Sequence, residues 1–137
     1  KGDDPKLKDF AIKDANGEDY TSVFFEEEEY LFFIIIPELK KVNEDGYIKL
    51  LKVTDAAADD GKLVYILTGS LIDDMKAFEE KHNKEYDYEI YNTDATPLKT
   101  IMRSNPGLLI LKKGIIVAKY HFNELTTYAD LKKSVLK

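Results

Sequence analysis

The chain has 137 residues, 44% apolar and 12% aromatic, with 26 acidic against 20 basic side chains and a net charge of −6. That composition fills one domain-sized core and excludes a disordered chain. The acidic balance argues against nucleic acid, which needs a concentrated basic face, and against docking on anionic lipid by charge.

Lys40-Lys41 and Lys132-Lys133 are too short to reverse that balance. With no cysteine in the chain, disulfides, thiolate nucleophiles and thiolate metal ligands are all absent. The longest apolar run, Tyr30 to Pro37, is far below the roughly 20 residues of a membrane helix, so no direct membrane insertion is expected. The opening Lys1-Gly2-Asp3-Asp4 reads as the cut edge of a longer or processed protein. Residues 1–6 read as a polar lead-in and 7–137 as a single domain.

Phe10 to Ala15 alternates apolar and polar residues, and Asn16-Gly17 supplies a hairpin turn before a short return strand at Glu18 to Tyr20. Thr21 or Ser22 is placed to cap a helical turn carrying Val23, Phe24 and Phe25. Tyr30 to Ile36 is continuously apolar, as expected of a central strand covered on both faces. Pro37 is suited to open a helix, and Glu38 to Asp60 reads as helical through Leu39, Val42, Leu50, Val53 and Ala57, with Gly46 as a weak point.

Leu63 to Leu67 is a second buried strand. Ser70 and Asp73 resemble a capping box before a helix whose face carries Ile72, Met75, Phe78 and His82. Tyr86 to Tyr91 reads as a strand. Thr96-Pro97 starts a short helix with Leu98, Ile101 and Met102. Leu108 to Leu111 and Ile115 to Phe122 form a hairpin around Lys113-Gly114. Thr127 and Asp130 then open a last helix with Tyr128, Leu131 and Val135. Strands alternating with helices require a parallel core, to which the closing hairpin adds antiparallel strands.

This order resembles the thioredoxin-like superfamily. The segment Asn105-Pro106-Gly107-Leu108-Leu109-Ile110-Leu111-Lys112-Lys113-Gly114-Ile115-Ile116-Val117 is similar to that fold's cis-proline followed by its closing hairpin. Leu7-Lys8-Asp9-Phe10 and Asp14-Ala15-Asn16-Gly17-Glu18 resemble the extra N-terminal hairpin of the peroxiredoxin and thiol-disulfide oxidoreductase branch. The resemblance implies a three-layer α/β/α sandwich with a mixed central sheet and that extra hairpin. Leu98 to Leu108, with Lys119-Tyr120-His121-Phe122-Asn123 downstream, looks like the soluble C-terminal portion of DoxX-type bacterial membrane proteins. That implies a domain tethered to a bacterial inner membrane, on the periplasmic side.

The resemblance places the redox pair at Ile36-Pro37-Glu38-Leu39-Lys40, where this chain offers no thiol. Thiol–disulfide exchange needs a thiolate for attack and for the mixed intermediate, so the fold does not carry its chemistry here. Pro37, Glu38, Asn105 and Pro106 are the candidate binding groove. A chain laid beside the proline would pair through main-chain groups alone, which survive the loss of cysteine. As a structural role, Glu38 suits the positive end of a helix, and Pro106 shapes a loop.

Tyr120, His121 and Asn123 are a candidate recognition patch, against the ordinary role of final-strand aromatics packing under a helix. Glu26 to Glu29 reads as a solvated turn. His82 and His121 are isolated from other ligand types, and the aspartates lack the alternation of a calcium loop, so no metal is expected. No phosphate loop or serine-nucleophile elbow occurs, and no cofactor is expected. The sequence points to a non-catalytic module binding an extended peptide segment or the parent protein's own membrane domain. The alternative is an accessory domain of a redox enzyme whose cysteines or cofactor lie elsewhere.

Overall fold

The computed structural model describes residues 10–82 and 88–136. Five strands form one mixed sheet in the order β3-β2-β1-β4-β5. The central β1 (Leu31–Ile36) runs parallel to β2 (Leu63–Thr68) and antiparallel to β4 (Gly107–Lys112). β3 (Ile90–Asn92) runs parallel to β2, and β5 (Ile115–His121) antiparallel to β4. Every residue of β1 is buried. Alternation sends Phe32, Ile34 and Ile36 to one face and Leu31, Phe33 and Ile35 to the other, which is why this run shows no polar alternation.

The first face is covered by α2 (Glu44–Asp59), α3 (Ile72–Lys81) and α5 (Tyr128–Ser134) through Leu50, Val53, Met75, Phe78 and Leu131. The second is covered by α1 (Thr21–Glu26) and α4 (Ala95–Ile101), with Phe10 and Ile12, through Phe24, Leu98 and Ile101. Burying each of these large side chains contributes about 1.5–3 kcal/mol. The result is the mixed-sheet α/β sandwich expected from the sequence.

Several local expectations change. The N-terminal hairpin narrows to single bridges of Lys13 with Asp19 and Asn92. Its turn is closed by Gly17 at φ +84° and by the Asp14 carboxylate, which accepts from the N–H groups of Asn16 and Glu18. Thr21 does not cap α1; its hydroxyl accepts from Ile12 N–H, and the Asp19 carboxylate accepts from Thr21 N–H. The strand expected at Tyr86 to Tyr91 spans Ile90–Asn92; residues 86–87 lie outside the described residues.

The segment 38–60 is not one helix. A 3-10 turn at Leu39–Lys41 is followed by extended Val42 and Asn43, and α2 starts at Glu44. Asn43 is the cap, its side chain accepting from Gly46 N–H at 2.8 Å, with Glu44 and Asp45 in the first turn. Gly46 has a packing reason: an added Cβ would lie 2.7–2.9 Å from ring atoms of Phe122. Phe122 belongs to a second 3-10 turn, Phe122–Glu124, that ends β5.

Candidate functional site

The site forms where β1 ends, beside the entry to β4. Pro37 is buried and does not start a helix; its carbonyl accepts from Gly69 N–H at 3.3 Å. Leu39 N–H donates to Ser70 Oγ at 2.9 Å. Ser70 therefore ties the end of β2 to the end of β1 rather than capping α3, whose N-cap is Leu71 without a side-chain bond. These bonds close the loops at the carboxyl ends of two parallel strands, the edge where open α/β sheets form crevices.

Asn105 bridges the cleft. Its Nδ2 donates to the Glu38 carbonyl at 2.9 Å, and its Oδ1 accepts from Glu38 N–H at 3.3 Å. Its own carbonyl accepts from Asn43 N–H at 2.9 Å. One side chain thus satisfies both main-chain groups of Glu38, while one carbonyl fixes the start of α2.

The Asn105-Pro106 peptide bond is cis. Ser104, buried just before it, donates from Oγ to the Pro106 carbonyl and accepts from Phe122 N–H at 3.3 Å. Met102 packs against Gly107 where a Cβ would otherwise sit. Pro37, Glu38, Asn105 and Pro106 are therefore brought together.

The Glu38 carboxylate is held by two lysines. Lys99 Nζ on α4 lies 2.7 Å from Oε2, and Lys41 Nζ lies 3.5 Å from Oε1. The Lys99 hydrogen bond, then the Lys41 charge, keep the carboxyl below the usual glutamate range. Solvent screens such exposed pairs, so they add little to stability. Lys119 Nζ donates to the Ile101 carbonyl at 3.3 Å, at the end of α4.

Tyr120 and His121 point to opposite faces of β5. Tyr120 turns to the first core, opposite Leu108, where burial pushes its phenol up. The exposed His121 follows on the alternate face of β5, and its ring accepts from Glu124 N–H while its own N–H donates to the Glu124 carboxylate. Asn123 is exposed within the 3-10 turn.

His82 closes α3 and pins α2 beside the cleft. Its Nε2 lies 2.9 Å from Glu44 Oε1, its Nδ1 lies 3.1 Å from the Phe78 carbonyl, and its ring stacks on Phe78 at 4.1 Å. The His82 contact, with Lys81 at 3.0 Å, lowers the Glu44 carboxyl below its usual range. A separate recess of about 850 Å³ lies between α2 and α5, lined by Lys49, Val53, Ala56, Leu125, Tyr128 and Lys132.

Among the described residues around Asn105-Pro106, the serines Ser70 and Ser104 already have structural partners. No metal-binding group of His, Asp or Glu gathers among the described residues. The roles of Asn43, Ser70, Lys41 and Lys99 were not foreseen. Asn43 had a readable signal, an N-cap residue before Glu44-Asp45, and Lys41 stands three residues from Glu38; Ser70 and Lys99 act across long sequence separations.

No family model and no curated protein matches the chain. Solved structures do. A thiol:disulfide interchange protein from Bacteroides sp. is similar with a TM-score of 0.62 at 16% identity, over 98% of this chain and 88% of that one. BsSco, of the Sco family of cytochrome c oxidase assembly proteins, is similar with a TM-score of 0.60 at 10% identity, over 91% and 88%. A secreted Mycobacterium tuberculosis disulfide oxidoreductase homologous to E. coli DsbE gives 0.56 at 13% identity, over 93% of each chain. Similarity at these identities concerns the fold alone. Together with the mixed sheet, it shows that this chain, which has no cysteine, has a thioredoxin-like α/β fold.

Proposed function

We propose that this domain is a docking module, taking an extended peptide segment in the cleft of Pro37, Glu38, Asn105 and Pro106 without exchanging electrons with it. The observation that carries the reading is the Asn105–Glu38 bridge: internal bonds fix the residue before the cis-proline against the end of β1, where the resemblance would put a thiol pair. Among the described residues the Asn105 carbonyl and amide side chain are engaged, and its N–H is given to none of them. That leaves a main-chain donor for strand-like pairing.

In this reading the domain belongs to a longer, membrane-tethered bacterial protein of the DoxX type, on the periplasmic side. The segment docked is an extended stretch of a partner or of the parent's membrane portion. Among the described residues no helix is long and apolar enough to cross a membrane, so the tether would be another part of the protein.

The test is site-specific photo-crosslinking in cells making the full-length gene product. A crosslinker at exposed Arg103, beside Asn105, is expected to give one defined, mappable peptide adduct, which is lost when Asn105→Ala is added. A crosslinker at Lys132 serves as the remote control. Adducts equally diffuse at both positions would reject docking at the cleft.

A further inference from the structure

We infer that the segment taken by the cleft is acidic, and that Glu38 is an internal competitor for the lysines that would bind it. The inference rests on the docking reading above. Two ammonium groups, Lys41 and Lys99, converge on the single Glu38 carboxylate, leaving a surplus positive charge. Their side chains are 79% and 51% exposed, so an incoming carboxylate reaches them without opening the fold. Lys119 reaches the end of α4 from β5, and Arg103 is exposed in the turn between α4 and Asn105.

Two cations, Lys41 and Lys99, therefore meet on one carboxylate beside Asn105, in a protein whose net charge is −6. A helix C-terminus favours a cation, and Lys99 lies in the last turn of α4 as Lys41 does in the 3-10 turn, but that preference does not require both ammonium groups to meet on Glu38. Lys40 behaves differently, being matched by Asp74 at 3.6 Å. Because the rest of the surface is acidic, this local reversal would select partners by charge and speed their encounter, with a dependence on salt.

Swapping the Glu38 carboxylate for one on the ligand exchanges like for like. The driving force is then the unmatched positive charge, together with main-chain pairing at Asn105. Removing the Glu38 charge should therefore strengthen binding, a result no purely structural role for that residue gives.

The experiment uses the purified domain and three short extended peptides in which valine alternates with aspartate, asparagine or lysine. Binding is read by fluorescence anisotropy and by the amide signals of Glu38, Asn105 and Gly107. The aspartate peptide is expected to bind best and to weaken as salt is raised. Lys41→Gln and Lys99→Gln should each weaken it about two- to five-fold, Glu38→Gln should tighten it by a similar factor, and Lys132→Gln should change nothing. Retained dispersion of the β1 and β4 amides confirms that each variant is folded. If the asparagine or lysine peptide moves the same amides with equal or higher affinity, docking stands and the acidic preference is overturned. If no peptide moves them, the docking reading itself falls.

Discussion

The side-chain amide of Asn105 spans the backbone of Glu38, donating to its carbonyl and accepting its N–H, so the residue before the cis-proline is fastened to the end of the central strand. An amide offers a donor and an acceptor side by side without depending on protonation, as an ionised carboxylate cannot. The fastening joins segments 67 residues apart.

Asn105→Asp keeps the size but loses the donor and turns a carboxylate oxygen toward the Glu38 carbonyl. Asn105→Ala loses both bonds. Each substitution is expected to cost about 1–3 kcal/mol in denaturant unfolding and to speed hydrogen exchange at the Glu38 amide. Unchanged exchange at that amide would mean the bridge does not hold the cleft in solution.

Gly46→Ala sets helix propensity against packing. An exposed helix position gains about 1 kcal/mol from alanine. Here the new Cβ meets the Phe122 ring, and overpacking of this kind costs about 1–3 kcal/mol. The expected result is a lower melting temperature in the native background and a higher one when Phe122→Leu is also present. Calorimetry of the four proteins decides it, since additive effects would show that the two residues do not touch.

Acid stability should carry the signature of Glu44. Its carboxyl is depressed chiefly by the His82 contact, so the stabilisation is present above the unfolded glutamate value of about 4.3. It is lost as pH falls through the lower folded value. Urea midpoints measured from about pH 7 to about pH 3 should fall less steeply at the acid end for Glu44→Gln than for the native chain. Equal acid slopes would remove Glu44 from the account.

Much of the fold was legible because its signals are local. The two-faced apolar run at Tyr30 to Ile36 marked the central strand, Lys113-Gly114 marked the hairpin, and Thr127 caps α5 by accepting from Asp130 N–H. The break at Val42-Asn43 was missed because the apolar spacing of Leu39, Val42 and Leu50 runs through it, while the Asn43 cap ends that continuity. Ser70 carried a capping pattern but serves Leu39, since a hydroxyl takes whichever N–H the tertiary packing presents.

The cleft was only half legible. The resemblance located Pro37, Glu38, Asn105 and Pro106, and the fold brings them together. Glu38 read as a carboxylate at a helix start, yet only a 3-10 turn begins there and the carboxylate is held by Lys41 and Lys99. Lys41 stands near Glu38 in sequence but Lys99 comes from α4, and charge runs along the chain cannot reveal a pair that the fold assembles. Tyr120 and His121 are neighbours in sequence, and strand alternation separates them for the same geometric reason.

The most direct test is a crystal structure of the domain with the aspartate–valine peptide. The account predicts an extended chain beside Asn105-Pro106, one of its carbonyls on the Asn105 N–H and a carboxylate between Lys41 and Lys99. A peptide seated instead in the recess between α2 and α5, with the cleft residues untouched, would contradict it.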